Sequence, residues 1–170
     1  MIRISYVVFA LPVLALWMNW RWKRVRLQRT QWIGWRELWL NLFFLYSLAV
    51  TYVTFFPLTI YFDIERHVNW IPFVEMKWLL YRPLVAVLNL AGNVVMFAPL
   101  GFLVPILFAR YRSLGKTTAL GLLVSVGIEF LQYWTGAREA DIDDVMLNTL
   151  GAAIGYGLYH IWSQSKELRS

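Results

Sequence analysis

Residues 138–157 read READIDDVMLNTLGAAIGYG. The stretch opens on a cluster of charge: Arg138, Glu139, Asp141, Asp143 and Asp144. It then runs into an apolar helix that carries one amide, Asn148, and a ladder of glycines at 151, 155 and 157. Four of the chain's ten carboxylates stand in this cluster. A helix this apolar, entered through so much charge, is the pattern of a membrane span whose polar mouth faces a partner elsewhere in the chain.

The composition carries the same reading through all 170 residues, of which 59% are hydrophobic and 15% charged. A soluble domain of this length cannot bury that much apolar surface. The apolar residues come in long runs, as a bilayer requires. Ten tryptophans suit the aromatic belts at the membrane interfaces. The absence of cysteine excludes disulfides, thiol nucleophiles and thiolate metal sites. The net charge of +6 does not point to nucleic acid, because the basic residues sit in short loops between apolar runs.

Five apolar segments follow one another: Ile4–Trp20, Leu38–Phe62, Leu84–Phe108, Thr117–Trp134 and Val145–Trp162. Each approaches the ~20 residues of a spanning helix. The first could be a signal peptide, but it is expected to be a retained span, because only Arg3 precedes it and the basic run NWRWKRVRLQR follows it. The expected fold is therefore an all-α integral membrane protein, a bundle of about five transmembrane helices forming one domain over 1–170. The loop holding Arg21, Lys23, Arg24, Arg26, Arg29 and Arg36 is basic, and so is ARYRSLGK at 109–116. Asp63, Glu65 and Glu75 balance Arg66, Lys77 and Arg82 in the second loop, and the fourth loop is acidic apart from Arg138. Positive loops face the cytoplasm, so the N-terminus is expected outside and the C-terminus in the cytoplasm.

Polar groups inside a bilayer are costly and turn toward the bundle interior. Gly121, Ser125, Glu129 and Gln132 share one helical face in the fourth segment, with Glu129 ~8 Å below the outer end. Asp141, Asp144, Asn148, Gly151 and Gly155 form one stripe of the fifth. Asp141 is a natural N-cap, and Asp143 points away from the stripe. Gly151 and Gly155 allow close helix packing. Asn89 and Asn93 share a face of the third segment, with Asn93 ~14 Å deep. Asn93, Glu129, Gln132, Asp144 and Asn148 are thus expected to converge in the outer half of the membrane, with Arg138 at the mouth. The acidic cluster could also hold a divalent cation with water. The bland alternatives are a solvated, capped helix start at Asp141–Asp144, interhelical amide glue at Asn93 and Asn148, and an interfacial turn at NWIPF, 69–73. His67 and His160 form no metal pair, and no HExxH, GxSxG, P-loop or GxGxxG pattern is present.

Taken together, NWIPF at 69–73, GNVVMFAPLGFLVP at 92–105, IEFLQ at 128–132 and READIDDVMLNTLGAAIGY at 138–156 resemble the VanZ-like family. The likeness covers about 69–156. It implies a multi-pass protein of the bacterial cytoplasmic membrane, and its namesake is an accessory protein of resistance to teicoplanin, a glycopeptide with a lipid tail. It carries the family's polar motif positions onto Asn69, Asn93, Glu129, Gln132, Arg138, Asp141, Asp143, Asp144 and Asn148. Three functions compete. The first is binding of an amphiphile at the outer leaflet: a membrane lipid, a lipid-linked cell-wall precursor or a lipoglycopeptide. The second is an intramembrane enzyme acting on such a lipid with Glu129 as acid or base. The third is an assembly subunit whose small-residue faces bind other membrane helices.

Overall fold

The structure, a computed structural model, describes residues 1–28, 34–61, 65–73, 81–136 and 138–167. Arg29, Asp63, Glu75 and Lys77 of the loop charges lie outside these residues, as does Phe62 at the end of the second apolar run. Among the described residues five long α-helices follow in order: α1 Tyr6–Gln28, α2 Trp35–Phe55, α3 Pro83–Leu107, α4 Leu114–Thr135 and α5 Ile142–Glu167. Four short strands accompany them: β1 Ile2–Ile4, β2 Leu58–Ile60, β3 Val68–Asn69 and β4 Ala140–Asp141.

By length and composition α2, α3 and α4 can cross a membrane. The other two helices stand where apolar segments were read, but their composition is more dilute. Arg21, Lys23, Arg24 and Arg26 fill the second half of α1, and α5 carries Asn148, His160 and three glycines. Helix α2 also ends earlier than its apolar run. It stops at Phe55, and Phe56 is extended, as expected for a residue preceding proline. The chain then enters β2.

The described residues divide into two compact units, Met1–Asp63 and Ile64–Ser170. In the first, α1 and α2 pair antiparallel through aromatic contacts. The Tyr6 hydroxyl donates to the Leu48 carbonyl at 2.9 Å, and the Trp17 ring stacks on Phe44 at 4.2 Å. Strand β1 pairs antiparallel with β2, Ile2 opposite Ile60.

In the second unit α3 and α5 form the most extensive contact, and α4 packs on α5. A Cβ built on Gly151 would overlap the Val94 carbonyl, and one on Gly155 the Ala98 carbonyl. The two helices therefore run parallel, backbone against backbone, at a separation that only small residues permit. Gly101 of α3 and Gly121 of α4 both abut Ala152, which has no exposed surface. Helix α4 runs antiparallel to α5, since Ser125 meets Asn148 while Gly121 meets Ala152. The small-residue faces are thus occupied within the chain itself.

The interior of this unit mixes apolar residues such as Phe97, Leu103 and Val104 with polar ones, while large apolar side chains cover its exterior. Thr117, Ser125, Glu129, Gln132, Asp143 and Asn148 are buried, whereas Leu88, Val95, Leu123, Phe130, Ile154 and Ile161 are exposed. Water would not reward so apolar an exterior over buried polar groups. A hydrocarbon surround rewards this one, because it solvates the apolar exterior while polar groups pair inside.

Candidate functional site

The site forms where α4 ends and α5 begins. Gly136, in the left-handed conformation at φ 68°, terminates α4 without a Cβ penalty. The chain returns through Arg138 and Glu139 into β4, which lies parallel to β3, with Val68 opposite Ala140 and Asn69 opposite Asp141. This two-residue pairing docks the NWIPF loop onto the mouth of the helices.

Asp141 is the hub. Its Oδ1 accepts the Asp143 backbone N–H at 2.9 Å, the bond an N-cap makes to the second residue of its helix. Its backbone N–H donates to Glu129 Oε2 at 3.0 Å. Asn69 Nδ2 donates to both of its carboxylate oxygens, at 3.2 and 3.3 Å. One residue thereby joins the NWIPF loop, α4 and α5. Deeper in the bundle, Asn148 Nδ2 donates to Ser125 Oγ at 2.9 Å, and Asn93 Nδ2 donates to Asp144 Oδ1. Gln132 is buried on the same face of α4.

Asp143, which the sequence reading left off the stripe, turns to the NWIPF loop. It is only 5% exposed, and its Oδ1 accepts the Phe73 backbone N–H at 2.8 Å. Phe73 itself has φ 67°, an unfavourable conformation for a bulky residue, so this contact fastens a strained turn. The partner of Asp143 lies seventy positions upstream, which helical periodicity cannot reveal. Arg138 is exposed and forms no ion pair with a described residue.

Two clefts flank Asp141. The first, of about 420 Å³, is lined by Val68, Trp70, Val126, Phe130, Tyr133 and Val145 besides Asn69, Glu129 and Asp141. The sequence reading missed this apolar groove, although Val126, Phe130 and Tyr133 recur at helical spacing beside the polar face of α4. The second, of about 370 Å³, is polar. Asn89, Asn93, Arg138, Glu139, Asp141, Asp143 and Asp144 line it, with Ala86, Leu90 and Leu147. The convergence therefore splits in two: Glu129 lies on the groove side, and Asn93, Asp144 and Arg138 lie on the polar side. The contact between Asn148 and Ser125 lies in the helix core and lines neither cleft.

The carboxylates are engaged by protein donors: Asp141 by Asn69, Asp143 by Phe73, Asp144 by Asn93 and Glu129 by Asp141. Among the described residues no group of three or more acidic or histidine side chains is arranged to hold a metal ion. His67 lies at the mouth, its carbonyl accepting the Ala140 N–H at 3.4 Å, whereas His160 stands in the last turns of α5.

A family model described as VanZ/LLP1 matches residues 43–163. No curated protein and no solved structure matches the chain.

Proposed function

Since the chain belongs to the VanZ/LLP1 family, as a helical membrane protein of that type, we propose that it binds an amphiphile, with the head group in the polar cleft and the tail along the apolar groove. The observation that carries this reading is the shared wall. Asp141 lines both clefts, so a polar and an apolar compartment meet at one residue. An amphiphile needs that juxtaposition, and neither a uniformly polar nor a uniformly apolar ligand does.

The walls define the head group. Among the described residues Arg138 is the only cation lining the polar cleft, and its guanidinium suits a phosphate or carboxylate. Asp143, Asp144 and Glu139 beside it suit hydroxyl or amine donors. A lipid-linked sugar precursor or a lipoglycopeptide combines these features, as does a phospholipid with a hydroxylated or amino head. In the groove, Trp70 offers an exposed ring for stacking on a sugar or a cation. Basic loops support an orientation with this mouth at the outer leaflet of the bacterial cytoplasmic membrane.

Photo-crosslinking tests the reading. The full chain, reconstituted in vesicles, is exposed to a polyprenyl phosphate carrying a diazirine in its tail. Adducts should concentrate on Val126, Phe130 and Val145 and fall at least tenfold in Arg138→Ala. Adducts spread evenly over the lipid-facing helices, and unchanged in the variant, would reject the site. Teicoplanin is tested as a competitor of the same label and by the susceptibility of expressing cells. Failure of both with labelling intact removes the antibiotic assignment alone.

A further inference from the structure

A third cleft lies at the opposite end of α4. It measures about 360 Å³ and is lined by Arg110, Tyr111, Lys116, Ala119, Leu120 and Leu123. Two cations and a phenol stand at its rim, and its wall is aliphatic. No carboxylate occurs in the chain between Glu75 and Glu129, so neither cation has an acidic neighbour in sequence. The rim is built rigidly. A 3₁₀ turn spans Ala109–Tyr111. The fully buried Thr117 donates its hydroxyl to the Tyr111 carbonyl at 2.6 Å, and the Arg110 guanidinium lies 4.9 Å from the Tyr111 ring centre. Helix α4 starts here, and Ser113 offers its first turn no side-chain cap. Its free N–H groups therefore add positive potential to that of the cations.

The apolar wall beside the cations suits an anion that carries a hydrocarbon chain better than a freely dissolved one. Leu123 is 69% exposed and belongs to the lipid-facing surface of a helix that can cross the membrane. The 22 residues of α4 span ~33 Å, about the thickness of the hydrocarbon core. This cleft and the polar cleft thus open on opposite membrane surfaces. We propose that the cleft lined by Arg110, Tyr111, Lys116 and Leu123 binds an anionic phospholipid, with its phosphate between Arg110 and Lys116 and an acyl chain along Ala119, Leu120 and Leu123. The site is independent of the amphiphile site across the membrane.

Native mass spectrometry of the full chain, released from a neutral maltoside detergent, tests this with phosphatidylglycerol and phosphatidylcholine of matched chains. Phosphatidylglycerol should bind the tighter of the two. Its preference should fall roughly fivefold per cation removed in Arg110→Gln/Lys116→Gln. Arg112→Gln should keep the preference, because Arg112 donates to the Pro105 carbonyl at 3.3 Å and lines no part of the cleft. Equal binding of the two lipids, or an equal loss in Arg112→Gln, would overturn the site. Full displacement by inorganic phosphate would overturn the lipid assignment. If the double variant does not fold, Leu123→Glu supplies the test: a carboxylate on the exposed wall should abolish the preference, and its persistence would count against the proposal.

Discussion

The Phe73 backbone N–H donates to Asp143 Oδ1 at 2.8 Å, tying the NWIPF loop to the second residue of α5. Asp143 Oδ2 is buried without a hydrogen-bond partner among the described residues. The carboxylate thus has one oxygen committed to the loop and one held in the wall of the polar cleft. At the Phe73 end the loop is held by this charge-assisted bond to a residue in a strained conformation, while Asn69 and the pairing of β3 with β4 hold its start.

Asp143→Ala should therefore loosen residues 69–73 without unfolding the bundle. Phe73 is 59% exposed, so water replaces the lost acceptor and the cost is the net worth of one hydrogen bond, roughly 1 kcal/mol. Hydrogen–deuterium exchange should show faster exchange in that segment, while α3 and α4 remain protected. Asp143→Asn retains an acceptor and should stay near wild type. Equal protection in all three proteins would show that the bond does not hold the loop.

The glycine positions separate packing from lipid contact. Gly151→Leu must displace the α3 backbone at Val94 and should destabilise the protein in detergent by roughly 1–3 kcal/mol or more. Gly127 has open space around it, so Gly127→Ala should be neutral or gain up to ~1 kcal/mol from helix propensity. Thermal unfolding followed by circular dichroism measures both, and similar midpoints for the two variants would contradict the α3–α5 packing.

Asn148 is 2% exposed and Ser125 fully buried, which makes their bond a coupled pair. A double-mutant cycle with Asn148→Ala and Ser125→Ala should return a coupling energy of ~0.6–2 kcal/mol. Zero coupling would mean that the two side chains do not share a bond in the membrane.

Orientation is accessible to labelling, because the chain contains no cysteine. Glu139→Cys, exposed at the polar mouth, should react with an impermeant maleimide added outside intact cells. Ser113→Cys, exposed at the other end of α4, should react only after permeabilisation. The reverse pattern would invert the expected topology and place the polar cleft in the cytoplasmic leaflet.

The spacing of apolar residues was sufficient to locate α3, α4 and α5 to within a few residues, because a hydrocarbon solvent forces runs of about one membrane thickness. The same periodicity placed Gly121, Ser125, Glu129 and Gln132 on one face, and all four are buried. It also identified Asp141 as a cap, since capping is local chemistry. Residues distant in the chain were another matter. The docking of Asn69 on Asp141 and of Phe73 on Asp143 bridges some seventy positions, and no helical repeat encodes such a distance. Whether the polar residues formed one pocket or two also depended on how the helices cross. The backbone contact at Gly151 and Val94 brings α3 against α5, and β4 places Asp141 as a wall between groove and cleft. Sequence determined which faces are polar, because each helix shows its own periodicity. Only the tertiary structure decided which of those faces meet, because that depends on backbone approach and loop docking between segments far apart in the chain.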